Sequence, residues 1–134
     1  MEDCRHLKIL YFQNNLIEKM EGLNKLKELE YLNLAVNSIS KIEGTKRCES
    51  LNKLDLTLNF IDLEDLKESC ENLEWNCLLT DMYLTGNPAK DWDGCRDYVI
   101  AKVETLMRLD GEEITKSDRL RAKTRLSKLE EELA

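Results

Sequence analysis

Proline, glycine, histidine and aromatic residues are all scarce: the 134 residues include one proline, five glycines and one histidine, and 6% are Phe, Trp or Tyr. The lone histidine, His6, comes with no G-x-S-x-G elbow and no glycine-rich phosphate loop, so neither an enzyme nor a cofactor or small-molecule substrate is expected. Carboxylate groups such as Glu112–Glu113 and the run from Glu130 read as solvated helix charges. The stretch DLEDLKE lacks the alternating ligands of a calcium loop. No apolar run approaches the ~18 residues of a spanning helix. The start, MEDCRHLKIL, has no long apolar stretch ending in a small-residue cleavage site, so secretion is not expected.

Cysteine is present but unpaired by pattern. Five cysteines stand at 4, 48, 70, 77 and 95, an odd number with no C-x-x-C among them. Tetrahedral zinc needs ligands brought together in pairs, so no metal site is expected. Free, mostly buried thiols in a reducing, cytosolic compartment are the expected state. The 20 basic residues fall short of the 27 acidic ones, for a net charge of −7. That balance argues against a nucleic-acid binder working by phosphate neutralisation. With 42% hydrophobic and 35% charged residues, the chain is too apolar for disorder and of a length for one domain.

One regularity dominates. LKILYFQNNLI from Leu7, LEYLNLAVNSI from Leu29, LNKLDLTLNFI from Leu51 and LTDMYLTGNPA from Leu79 share the form L-x-x-[LM]-x-[LF]-x-x-N. The register asparagines Asn15, Asn37, Asn59 and Asn87 are 22, 22 and 28 residues apart. This is the period of a leucine-rich repeat. The fold expected is α/β: a right-handed solenoid with a concave parallel sheet, short convex helices, a C-terminal cap and a terminal helix. In each repeat a short strand turns its leucines inward and its variable residues outward. The sharp turn that follows would leave backbone groups unpaired, and an asparagine side chain carries both a donor and an acceptor to serve them. Asn15, Asn37, Asn59 and Asn87 are therefore read as a structural ladder buried along the solenoid.

The return limbs recur too. Ile17, Met20, Leu23 and Leu26 correspond to Ile39, Ile42, Thr45 and Cys48, which makes Cys48 a core thiol. The third repeat is six residues longer, and Leu63, Leu66, Cys70, Leu73 and Cys77 have helical spacing there, so a proper helix or two is expected. After residues 1–87, which hold the repeats, residues 88–114 read as a cap. Pro88 cannot continue a strand, and Tyr98, Val99, Val103 and Leu106 share a helical face that can cover the last leucines. Residues 115–134 open with a T-x-x-D box and form a charged helix with a thin stripe of Leu120, Leu126, Leu129 and Leu133. Those leucines can pack along the solenoid, start a coiled coil or belong to a longer stub; a helix partly projecting into solvent is expected. At the other end only six residues precede Leu7, leaving an apolar edge at Leu7, Leu10 and Phe12. That edge points to a piece of a longer protein, or a shortened relative of one.

The outward strand residues form the candidate partner-binding face. One column is Ile9, Tyr31, Lys53 and Asp81, and the next is Tyr11, Asn33, Asp55 and Tyr83. Gln13, Val36 and Leu58 follow in the turns. Three of the four tyrosines fall on this face, and exposed aromatic and aliphatic groups are typical of interface hot spots.

The strings L-Y-x-Q-N-N-L-I, L-E-Y-L-N-L-A and K-L-D-L-T-x-N-F-I are more specific than a generic repeat. With the closing GNP, Arg96–Asp97–Tyr98 and Leu109–Asp110–Gly111, the chain resembles the leucine-rich-repeat domain of the tilB/seahorse family of dynein axonemal assembly factors. That resemblance covers roughly residues 4–120. Family members carry at least one further repeat before this point, and a charged coil and a small β-rich co-chaperone-like domain after it. The resemblance implies a cytoplasmic, non-enzymatic adaptor that helps preassemble axonemal dynein arms in cells with cilia or flagella. Its partners would be dynein arm subunits or fellow assembly factors. Two alternatives stand beside it: a structural leucine-rich subunit resident in the axoneme, and a phosphatase-regulating or ribonucleoprotein scaffold of the same short-repeat class.

Overall fold

The computed structural model describes residues 6–134, so Cys4 lies outside the described residues. Four three-residue strands, β1 (Ile9–Tyr11), β2 (Tyr31–Asn33), β3 (Lys53–Asp55) and β4 (Asp81–Tyr83), pair in parallel in chain order. The central residue of each points inward, stacking Leu10, Leu32, Leu54 and Met82 in register. Backbone pairing runs on past the strands: Leu34 N donates to Asp55 O at 2.9 Å and Val36 N to Thr57 O at 2.8 Å. The coils are thus locked together well into the turn.

On the return limb, Leu23, Thr45 and Leu73 align, as do Leu26, Cys48 and Asn76, each limb closing through tight i to i−3 bonds such as Leu51 N to Cys48 O. Among the described residues, the convex side of the repeats is helical in the long third repeat, where α1 spans Leu63–Glu71. Asp62 caps α1 by accepting from Asp65 N, and the helix buries Leu66, Ser69 and Cys70. Its polar residues serve the neighbouring limb: Ser69 Oγ accepts from Ile42 N at 2.9 Å, and Asn72 Nδ2 donates to Ile42 O at 2.8 Å.

Helical spacing fails beyond Glu71. The chain returns to the limb pattern, so Asn76, not Cys77, turns inward and Cys77 is exposed. Asn76 is buried because it has partners there: Nδ2 donates to Thr45 O at 2.8 Å, and Oδ1 accepts from Thr45 Oγ1 at 3.0 Å. Leu63, at the start of α1, is also exposed.

A 3₁₀ turn at Pro88–Asp91 follows the last repeat, then α2 (Cys95–Lys102). The helix ends at Lys102, yet Tyr98, Val99, Val103 and Leu106 are all buried, the last two in the tight turns beyond it. Strand β5 (Arg108–Leu109) adds a fifth parallel rung, and β6 (Glu112–Glu113) pairs with it antiparallel. Glu112 and Glu113 are exposed, but on a strand rather than a helix.

The terminal helix α3 (Lys116–Leu133) starts with the full Thr115–Asp118 capping box. It packs against α2 instead of projecting. Ala122 and Leu129 are buried, Leu126 and Leu133 half-buried, while Leu120 is 68% exposed and takes no part. The docking is as much polar as apolar: Asp97 of α2, buried, pairs with Arg121 at 3.2 Å and with Arg125 at 2.5 Å. Arg119 donates to the carbonyls of Ile100 and Leu106, and Trp92 Nε1 to Glu132 at 3.2 Å. At the opposite end Phe12 is 40% exposed, and Leu7, Leu10, Phe12, Leu23 and Leu26 line an open cavity of about 490 Å³.

Candidate protein-interaction face

Each three-residue strand places two side chains on the outer sheet face, and parallel pairing stacks them. Ile9 pairs with Tyr31, Tyr31 with Lys53 and Lys53 with Asp81; alongside, Tyr11, Asn33, Asp55 and Tyr83 form the second column. The first column gains a fifth member, Arg108, through β5. Its signal in the sequence is Leu106-x-x-Leu109, which repeats the spacing of Leu79 and Met82.

The aromatic residues meet across the columns. Tyr11 and Tyr31 pack edge to face with ring centres 5.4 Å apart. Lys53 Nζ lies 4.8 Å from the Tyr31 ring and 5.5 Å from the Tyr83 ring, within cation–π range of both. Asn33 Nδ2 donates to the Tyr31 hydroxyl at 3.1 Å. Tyr11, Tyr31, Lys53 and Tyr83 therefore form one connected strip with pre-set side chains.

Polar residues in the second column also shape the backbone. Asn33 Oδ1 accepts from Ala35 N, and Asp55 Oδ1 accepts from Thr57 N, both at 3.0 Å, the Asx pattern that starts a turn. At the far end Asp110 does this across coils. Its Oδ1 accepts from Leu84 N at 2.6 Å and Thr85 N at 2.9 Å, and Lys90 Nζ stands 2.9 Å from Oδ2. Burial pushes the Asp110 carboxyl up, but bonds from Lys90 and Leu84 outweigh it and hold the group below its ordinary value. Asp110 belongs to the Leu109–Asp110–Gly111 motif, but its pairing with Lys90 is not legible in the sequence, since it depends on how the cap folds back.

Three of the residues read from the sequence as part of this face are not on strands. Gln13 is exposed just past β1, and Val36 and Leu58 sit in the turns with φ of 57° and 56°. They form a rim beside the sheet face rather than part of it. A second aromatic feature lies away from this face: Trp75 is 55% exposed and has Lys46 Nζ 4.9 Å from its ring.

Beneath the rim lie the asparagines. Asn37, Asn59 and Asn87 are buried and make the same three bonds each. For Asn37, Nδ2 donates to Phe12 O and Leu34 O, both at 2.9 Å, and Oδ1 accepts from Ile17 N at 3.0 Å. Asn15 differs: among the described residues its bonds are to Phe12 O and Gln13 O of its own turn, and it is exposed. Among the described residues no group of three or more His, Cys, Asp or Glu is arranged to hold a metal, and no helix is long and apolar enough to cross a membrane.

Residues 5–44 match the family model described as Leucine Rich repeats (2 copies). The chain is 57% identical over 119 residues to dynein axonemal assembly factor 11 of Danio rerio, covering 89% of this chain and 26% of the relative. It is 58% identical over 125 residues to protein tilB of Drosophila melanogaster, covering 93% of this chain and 31% of that protein. The chain thus spans about a quarter to a third of the length of these relatives. In structure it is similar to a chain in the crystal structure of the Drosophila melanogaster SNF/U2A' complex, with a TM-score of 0.84 and 26% identity over 96% of this chain and 76% of that one. The repeat register and the solenoid built on it make the chain a leucine-rich-repeat protein, similar across nearly its whole length to part of the dynein axonemal assembly factor 11 and tilB proteins.

Proposed function

We propose that the chain is a non-enzymatic protein-interaction scaffold that works in the cytoplasmic preassembly of axonemal dynein arms, in cells with cilia or flagella. Its sheet face takes hold of dynein arm subunits or fellow assembly factors, and nucleic acid is not its ligand. The observation that carries this reading is the connected strip of Tyr11, Tyr31, Lys53 and Tyr83. Aromatic side chains offer large contact area at low entropic cost, and their mutual packing holds them ready for a partner. Identity to a protein named dynein axonemal assembly factor 11 supports dynein-related proteins as the class of partner. The likeness to a chain of the SNF/U2A' complex favours a ribonucleoprotein-type scaffold as second reading, but at a much lower identity.

The test is capture of dynein arm subunits from cytoplasmic extract of ciliated cells by the wild-type chain and by Tyr31→Ala/Lys53→Ala. Loss of two central contacts should lower recovery about tenfold or more with the melting temperature held. Undiminished recovery removes the sheet face from consideration. Recovery of the protein with demembranated axonemes, instead of detergent-soluble cytoplasm, would favour a resident structural subunit.

A further inference from the structure

Arg121 and Arg125 of α3 reach down to one carboxylate. Arg121 donates through Nε to Asp97 Oδ2 at 3.2 Å and through Nη2 to Oδ1 at 3.3 Å, and Arg125 Nη1 donates to Oδ2 as well. Arg121 Nη2 also donates to Asp118 at 2.9 Å. Like charges four residues apart on a helix repel each other, so buried Asp97 is what lets these two guanidiniums stand side by side.

Those bonds leave donors over. A guanidinium carries its N–H groups in a planar fork. Among the described residues, Nη1 of Arg121 and both Nε and Nη2 of Arg125 have no acceptor. Nε and Nη2 share one edge of the Arg125 guanidinium, the pair that grips a carboxylate through two parallel bonds. The two side chains are 49% and 40% exposed, so an incoming group can reach them. Lys128 follows three residues after Arg125 on the same stripe of the helix; it is exposed and makes no ion pair among the described residues. Beyond it, Glu130 is engaged by Lys102 at 3.8 Å and Glu132 by Trp92 Nε1 at 3.2 Å.

The charge pattern selects the occupant. The ten residues from Arg119 to Lys128 hold five cations and no Asp or Glu, in a chain whose net charge is −7. An anion is called for, and the neighbours decide which. Asp97 and Asp118 already sit on these guanidiniums, so a doubly charged phosphate meets more repulsion than a singly charged carboxylate. A nucleic-acid strand fits less well still, because the basic stretch covers only about 15 Å of helix before Glu130–Glu132 close it. We propose that Arg121, Arg125 and Lys128 form a carboxylate-binding site on the cap, which takes Glu or Asp side chains from an acidic segment of a protein partner. The site lies on α3 and is used independently of the sheet face.

The probe is fluorescein-labelled hexaglutamate, followed by anisotropy at low salt, with hexaglutamine as the uncharged control. Hexaglutamate should bind saturably, weaken as salt rises and shift the Arg125 Nε–Hε signal in nitrogen-edited NMR. Arg125→Lys keeps the charge but loses the fork, and should weaken binding about tenfold. Lys128→Gln removes a cation that has no partner in the fold, so it should weaken binding with the melting temperature unchanged. Tyr31→Ala/Lys53→Ala should retain it. No binding, equal binding of hexaglutamine, or binding that neither α3 substitution weakens would overturn the proposal. So would NMR shifts confined to the sheet face. Displacement of the peptide by inorganic phosphate more readily than by acetate would make the ligand a phosphate, and tighter binding of a thymidine hexanucleotide would make it a nucleic acid; either result would also sink the carboxylate site.

Discussion

Asn59 Nδ2 donates to the carbonyl of Leu34 at 2.9 Å, joining residues 25 positions apart in the sequence. The same amide donates to Leu56 O at 3.1 Å, and Oδ1 accepts from Ile39 N at 3.0 Å. Removing it leaves three buried backbone groups short of a partner. Asn37→Ala and Asn59→Ala should each cost about 1–3 kcal/mol in urea unfolding. Asn15→Ala, at an exposed site, should stay within about 0.5 kcal/mol of wild type.

The terminal helix is tied down by a carboxylate. Asp97 is buried, and its partners Arg121 and Arg125 are half-exposed, so they can regain water once Asp97 is neutralised. Asp97→Asn should cost about 1–3 kcal/mol and speed amide exchange along α3 while leaving the exchange of β2 and β3 slow. Uniform acceleration over the whole chain would instead make α3 part of one cooperative unit.

Acid should loosen the far end of the solenoid. Burial raises the Asp110 carboxyl, but Lys90, Leu84 N and Thr85 bring it below the ordinary 3.8. A folded-state value below the unfolded one adds stability that is complete above the unfolded value and is lost as pH falls through the folded value. Melting temperature should therefore fall as pH drops below about 4, and Asp110→Asn should be less stable near neutrality yet flatter across the acid range.

Thiol reactivity should follow burial. Desolvation pushes the Cys48 and Cys95 thiols up to about 11 and the Cys70 thiol to about 12, whereas Cys77 is exposed. In native protein at mildly alkaline pH, alkylation followed by peptide mass spectrometry should find Cys77 modified well ahead of Cys48, Cys70 and Cys95. Comparable rates at Cys70 would show that α1 opens readily.

Much of the architecture is legible because it repeats. Once Asn37 and Asn59 set the period, the pairing of Tyr31 with Lys53 follows by counting, and so does the inward stack of Leu32 on Leu54. What counting cannot reach depends on partners distant in sequence. Asn76 replaces Cys77 in the interior because Thr45, 31 residues earlier, offers it hydrogen bonds. The α3 docking rests on Arg121 and Arg125 meeting Asp97, and in a helix so rich in charge those arginines look like any solvated residue. Asn15 carries the same motif as its three counterparts, yet it is exposed and its described bonds are to its own turn. The candidate face was legible as columns; the cation–π strip and the strained rim needed side-chain geometry and φ.

A stack of parallel coils has no inherent stopping point, since each exposed edge is a template for another. Here β6 reverses direction over Arg108 and Leu109 and lines the border with Glu112 and Glu113. An incoming β1 from another molecule would meet a reversed, two-residue strand in place of a parallel rung, and two adjacent negative charges. The border therefore disfavours end-to-end addition of a further coil, and the repeat sheet ends on a charged, reversed strand.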